Sequence, residues 1–257
     1  MDGIDPRAAD LTAPRGPAPP AGAYGRYAEV YDRVWARAPY GRFVDLCLEE
    51  ARSPVRRVVV AACGTGNAAF EFARRGYRTA GFDLSSTMLA AAAAKRPPGA
   101  SADFVRGDLR AVPFADGCAD LVVALNSGLN YLLEADEAVT ALAHLGRVAG
   151  PAGTVVVEPL SARFLHAGVE QNRHLEERGL RFDAVYETRG DLLVECVSWR
   201  VDGDKLRETY WQRWYDDDRL AGMFEAAGLK LAGRRPMWPA IPEEPARGRT
   251  LWVAATG

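Results

Sequence analysis

Cysteine and histidine are scarce in this chain: 257 residues hold four cysteines and three histidines. Cys47, Cys63, Cys118 and Cys196 lie far apart, without the paired spacing of a zinc site or a disulfide framework. Free thiols in a reducing compartment are the expectation. An excess of positive charge is also missing. Lys and Arg number 32 against 34 Asp and Glu, a net charge of −2, so a nucleic-acid backbone is not the expected partner. No apolar run reaches the roughly 18 residues that a membrane-spanning helix needs. The N-terminus carries no basic-then-apolar leader. With 48% hydrophobic residues the chain can bury a large core, and a soluble cytoplasmic enzyme is the expectation.

Against these absences stands Val58–Asn67, Val-Val-Val-Ala-Ala-Cys-Gly-Thr-Gly-Asn. A run of β-branched residues ends in two glycines two apart, and a helical pattern follows: a buried strand, a tight turn and a helix start. Such a turn lets backbone N–H groups approach a polar ligand closely. Gly81–Ser86 closes a second strand on Asp83 and opens a helix with a serine cap. A carboxylate there is placed for both hydroxyls of a ribose. Phe104–Asp108 ends a third strand on another carboxylate, suited to a purine amino group. Ala119–Leu125 is a fourth buried strand, followed by Asn126-Ser127-Gly128-Leu129-Asn130-Tyr131, and Gly150–Gly153 turns a helix into a fifth strand, Thr154–Glu158.

In this order and spacing the series resembles the class I S-adenosylmethionine (SAM)-dependent methyltransferases, small-molecule branch, over about residues 24 to 160. The Ala-Cys-Gly-Thr-Gly turn is similar to that of glycine N-methyltransferase-like enzymes. The resemblance implies an α/β fold: a Rossmann-like, open, mostly parallel seven-stranded sheet with helices on both faces and SAM across the strand ends. It implies that Ala62, Gly64, Gly66 and Asn67 flank the methionine part of SAM. Asp83 then takes the ribose, with Leu84 and Met88 beside the adenine. Asp108 takes the adenine amino group with Leu109 beside it, and Asn126 lies near the sulfonium. One departure stands out. The family usually carries an acidic residue at the position of Val60, and often Gly at Ala62. A buried Val60 is expected, with Tyr31, Tyr40 or Arg42 supplying the missing contact at the amino-acid end of SAM.

Residues 1–22 read as a mobile tail and 23–52 as an N-terminal helical lid. Residues 53–160 form the SAM-binding core, 161–215 an antiparallel meander over the substrate side, and 216–257 a helix and strands completing the sheet. A helix over Tyr24–Trp35 would put Tyr24, Tyr27, Tyr31 and Trp35 on one face, as a lid or as a core stripe. The turns Arg189-Gly190-Asp191 and Asp202-Gly203-Asp204 separate strands Arg181–Thr188, Leu192–Val201 and Lys205–Tyr215. In look-alike families such an insertion covers the substrate or pairs subunits, so a homodimer is one expectation. A phenol or alcohol acceptor needs a proton acceptor, whereas a neutral amine does not. His166, Glu158, Tyr131 and Tyr31 are the candidates for catalysis; His144 reads as structural. The expected activity is methyl transfer to an amine or hydroxyl of a small molecule, in secondary metabolism. Two rivals remain: a dinucleotide-dependent oxidoreductase, because Gly64-x-Gly66-x-x-Ala69 fits a relaxed fingerprint, and a non-catalytic binding module.

Overall fold

The computed structural model describes residues 24–162, 165, 173–201, 203–237 and 248–256. Five strands follow the glycine-turn pattern: β1 Arg57–Ala61, β2 Arg78–Asp83, β3 Ala102–Arg106, β4 Leu121–Ala124 and β5 Thr154–Val157. They pair in parallel in the order β3-β2-β1-β4-β5. The C-terminal strands β10, Leu229–Pro236, and β11, Thr250–Thr256, extend the sheet beyond β5, with β11 antiparallel to both neighbours. The result is the expected seven-stranded, mostly parallel sheet.

Alternation along β1 sorts the core into two layers. Val59 and Ala61 face one way, towards Leu142 and Leu145 of α5 (Ala135–Ala149) and Leu220 and Phe224 of α6 (Asp217–Ala226). Val58 and Val60 face the other way, onto Phe43 of α2 (Tyr40–Glu49) and Phe72 of α3 (Asn67–Arg74). The β-branched run is therefore sandwiched between helices, as a doubly covered parallel strand requires. The fourth helix on this path, α4 (Ser86–Lys95), starts at Ser85, whose hydroxyl accepts the Met88 N–H.

A second sheet holds β6 (Arg173–Glu177), β7 (Leu180–Arg189), β8 (Leu192–Val201) and β9 (Asp204–Arg213), all antiparallel. The meander was expected to have three strands. β6 is added because it pairs with β7 through a tight turn at Arg178-Gly179, both at positive φ.

The N-terminal helix is shorter than its aromatic spacing suggests: α1 covers only Ala28–Val34. Tyr24 has φ +63° and belongs to the turn before it. The four rings consequently do not share one fate. Tyr27, Val30 and Val34 are buried against Phe182, Ala184, Val197 and Trp199 of the meander. Tyr27 stacks on Phe182 with ring centroids 5.6 Å apart. The core-stripe expectation thus holds for Tyr27, and α1 is a joint between the meander and the parallel sheet.

Candidate cofactor and substrate cavity

β1 has parallel neighbours on both sides whose connections run in opposite directions, so a crevice opens at the carboxyl ends of β1, β2 and β4. A cavity of about 1160 Å³, including its open mouth, lies there. Its floor is the glycine turn. Ala62 takes φ +47° and Gly64 φ +54°, the left-handed region where a glycine costs nothing and an alanine is strained. Gly66 does not line the cavity. It is the residue before α3, with φ +80°, and a Cβ there would sit 2.6 Å from the Phe104 ring. Its glycine is required by helix–strand packing, and the reading of Gly66 as a ligand contact is corrected on that ground.

Asp83 closes β2 beside this turn. Its carboxylate accepts the N–H of Gly64 at 2.8 Å and of Ser85 at 2.8 Å. Burial pushes its pKa up, opposed by these backbone donors. A half-buried carboxylate at the cavity wall still has acceptor capacity for two hydroxyls. Leu84, Met88, Asp108 and Leu109 also line the cavity. Asp108 is held by Arg110, whose Nε lies 3.0 and 3.1 Å from its two oxygens. Arg110 also bonds Glu137 at 3.0 Å. The Arg110 hydrogen bonds hold the Asp108 pKa below its ordinary value. Arg110 was not anticipated, because a basic residue two positions after an acid carries no motif of its own.

Tyrosines form the opposite wall. Tyr24, Tyr31, Tyr40 and Tyr131 all line the cavity. The Tyr24 and Tyr131 hydroxyls bond one another. Tyr131 is carried by the turn Gly128–Tyr131, which Asn130 anchors. The Asn130 amide donates to the carbonyl oxygens of Leu160 at 3.1 Å and Arg213 at 2.6 Å, and accepts the Leu160 N–H at 2.7 Å. Burial raises the pKa of Tyr24, Tyr31 and Tyr131. These groups therefore act as neutral hydroxyls.

Two expected site residues are placed differently, and a third lies outside the described residues. Arg42 is half-exposed, bonds Asp45 at 3.2 Å and does not line the cavity; it is one helical turn from its partner and points along α2. Glu158 is buried behind the wall. Its carboxylate accepts Arg249 Nε at 2.6 Å and the Asn126 N–H at 2.6 Å. Arg249 also donates to Asn126 Oδ1 at 2.7 Å and lies 5.2 Å above the Phe43 ring. Glu158 thus supports Asn126, which itself lines the cavity at φ +54°, and a carboxylate neutralised this way is not a free proton acceptor. His166 lies outside the described residues. Of the other histidines, His144 accepts from Arg147 at 3.4 Å and His174 pairs with Asp183 at 2.7 Å on the meander. Among the described residues no cluster of His, Cys, Asp and Glu could hold a metal ion, and no helix is long and apolar enough to cross a membrane.

A family model described as a methyltransferase domain matches residues 58–153. The putative methyltransferase YqeM of Bacillus subtilis is 32% identical over 217 residues, covering 81% of this chain and 87% of that protein. Demethylmenaquinone methyltransferase of Beutenbergia cavernae is 34% identical over 208 residues, covering 79% and 75%. Among solved structures, a SAM-dependent methyltransferase from Clostridium acetobutylicum has a TM-score of 0.73 at 18% identity, covering 91% and 99%. SAM-bound CalS10, an amino pentose methyltransferase from Micromonospora echinaspora, has a TM-score of 0.72 at 23% identity, covering 89% and 97%. The glycine turn, the Asp83 carboxylate that closes β2 beside it and these relatives agree: the chain belongs to the class I SAM-dependent methyltransferases.

Proposed function

We propose that this enzyme methylates a small molecule, with an amine nitrogen as the preferred acceptor and a hydroxyl as the alternative. The carrying observation is the tyrosine wall. The candidate acceptor side of the cavity presents neutral hydroxyls and ring faces from Tyr24, Tyr31 and Tyr131, and no histidine or lysine lines it among the described residues. A neutral amine can attack without a base, whereas a hydroxyl needs a proton acceptor. When bound, SAM supplies a methyl on a sulfonium, an electrophile that needs no further activation.

The residues fit that cofactor. The half-buried Asp83 would accept the ribose hydroxyls. Leu84, Met88 and Leu109 would cover the adenine, and Asp108 would share its remaining acceptor capacity with the adenine amino group. Ala62, Gly64 and Asn67 would bracket the methionine end, with Asn126 at the acceptor entrance. Tyr31 and Tyr40 would supply the polar contact that Val60 lacks. Val60 is 2% exposed and borders the cavity with an apolar side chain, where an unpartnered charge would be costly. The wall and the meander would exclude water and hold the acceptor near attack distance. Rings with electron-rich faces also favour the positive charge that grows on the acceptor nitrogen.

The amine reading gains support from CalS10, whose name describes an amino pentose as its acceptor; the relatives named demethylmenaquinone methyltransferases carry a different acceptor in their name. Work in secondary metabolism and the cytoplasm, and assembly as a homodimer, belong to this same proposal. The test is calorimetry with SAM and with NAD, followed by product mass analysis on matched amines and alcohols. Binding of SAM with a 14-dalton gain on amines supports the reading. Gain on alcohols alone would reverse the acceptor, and binding of NAD in place of SAM would favour the oxidoreductase.

A further inference from the structure

Asp32 has no part in the roles above, yet it makes more polar contacts than any expected site residue on α1. One carboxylate oxygen accepts the Thr65 hydroxyl at 2.7 Å and the Asn67 side-chain amide at 2.9 Å. The other accepts Lys95 Nζ at 2.7 Å. Lys95 donates in turn to Thr65 Oγ1 at 3.0 Å and to Asn67 Oδ1. Four groups from three separate parts of the chain thus close on one point: α1, the glycine turn with the start of α3, and the last residue of α4.

The position of this point matters more than the number of bonds. Thr65 is 1% exposed and sits between the two glycines of the cavity floor. Asn67 is the first residue of α3, and Gly66 before it offers no side-chain cap. A helix start without a cap leaves orphan N–H groups and a partial positive charge. Asp32 brings a carboxylate to that end from another helix. Lys95 closes α4, where the dipole favours a cation. Both ends of the ion pair are therefore on the side of a helix that suits their charge.

We propose that Asp32, held by Lys95, is a positioning residue that clamps the N-terminal segment onto the glycine turn. The next residue back, Tyr31, lines the cavity. A second tie, Thr87 Oγ1 to the Tyr24 carbonyl at 2.9 Å, fixes the other end of the same segment to α4. Breaking the clamp frees the tyrosine wall and the turn together, so the order of the floor and the closure of the roof are one equilibrium. A helix of seven residues has little stability of its own, so its position depends on such contacts.

The experiment is amide hydrogen exchange on the SAM-free protein, with SAM affinity by calorimetry on the same samples. The variants are Asp32→Ala, Asp32→Glu and Lys95→Met. In Asp32→Ala, exchange in residues 28–34 and 64–68 should quicken about tenfold while β4 and β5 stay protected, and SAM affinity should fall about tenfold or more. Asp32→Glu should recover part of both, and Lys95→Met should show the same pattern at smaller size. Exchange that quickens equally across the whole sheet would make Asp32 merely structural and overturn the proposal, as would unchanged exchange in both segments. Faster exchange with unchanged SAM affinity would overturn its positioning role. Should the wild type fail to bind SAM, the cofactor reading fails, and the exchange arm still decides the clamp.

Discussion

The floor and the roof of the cavity are built by different physics. The floor is made of strand ends and turns that one short stretch of chain specifies. The Cys63 N–H reaches the Phe82 carbonyl and the Gly64 N–H the Asp83 carboxylate because β1 and β2 pair in register, Val60 opposite Gly81 and Ala61 opposite Phe82. The roof is made of side chains from distant segments. Tyr24 stacks on Tyr210 of β9 at 4.5 Å and touches Tyr131 after β4. Nothing local holds these rings together. The strand and turn geometry of the floor is locally encoded, with Asp32 of α1 tied onto it; a roof of long-range contacts is cooperative with the meander and stands or falls with it.

The comparison breaks most plainly if the roof is removed. Deleting residues 1–38 takes Tyr27, Val30 and Val34 from the inner face of the meander, where each is at most 4% exposed. A buried side chain of this kind is worth about 1.5–3 kcal/mol, and three of them approach the whole stability of an ordinary domain, about 5–15 kcal/mol. The expected result is an insoluble or molten protein, seen as a lost cooperative thermal transition. A folded truncation with lost turnover would instead make the segment a simple lid over an independent domain.

Next in size is the buried pair behind the wall. Arg249→Ala removes the counter-charge of Glu158 at 2% exposure and leaves it the Asn126 N–H alone, a loss of about 3–5 kcal/mol. Urea unfolding measures it directly. Replacing both partners by Met and Leu should restore much of that stability. It should not restore Asn126, whose N–H and side-chain oxygen both depend on the pair. That double variant separates stability from site geometry, with product formation as the second readout.

These two cases also show how much of the molecule was legible in its sequence. Strand ends at Asp83 and the serine cap at Ser85 were readable, because a strand, a turn and a cap are short-range features with few solutions. Asp108 and Tyr131 were readable as neighbours of the cavity for the same reason. Arg249 was not. It precedes the last strand and reaches Glu158 only because β11 pairs antiparallel beside β5, a pairing that no local pattern announces. Arg42 failed conversely: its type suited a carboxylate, but helical spacing gave it Asp45 within one turn. Asp32 and Lys95 look like ordinary solvated charges in sequence, and only the packing of α1 against the glycine turn and α4 brings them together.

A smaller effect tests the floor by itself. Asp83→Ala should weaken SAM binding by about 1.5–3 kcal/mol, the scale of hydrogen bonds to a charged group, or roughly 10- to 150-fold in affinity. It also removes the acceptor for the Gly64 and Ser85 N–H groups, so the melting temperature should fall as well. Asp83→Asn keeps the shape and one acceptor oxygen, and should lose less of both. Calorimetry on the two variants distinguishes a ribose contact from a turn brace. If the alanine variant binds SAM as the wild type does, the ribose assignment is wrong.

The smallest expected effect concerns Asp108 and Arg110 at the proposed adenine end, where the pair is a third exposed. Arg110 lowers the Asp108 pKa through its hydrogen bonds. A carboxylate whose folded pKa is depressed adds stability above its unfolded value, near 4, and loses it as pH falls through the lower folded value. Solvent screening limits the contribution to about 0.5–1 kcal/mol. Arg110→Gln should therefore cost that much at pH 7. The difference from wild type should shrink below about pH 4 as Asp108 protonates in both proteins. Thermal melts of the pair from pH 3 to pH 7 follow this window. A difference independent of pH would assign the loss to the Arg110 stem packed at the cavity wall, and the adenine end would then owe its order to packing rather than to charge.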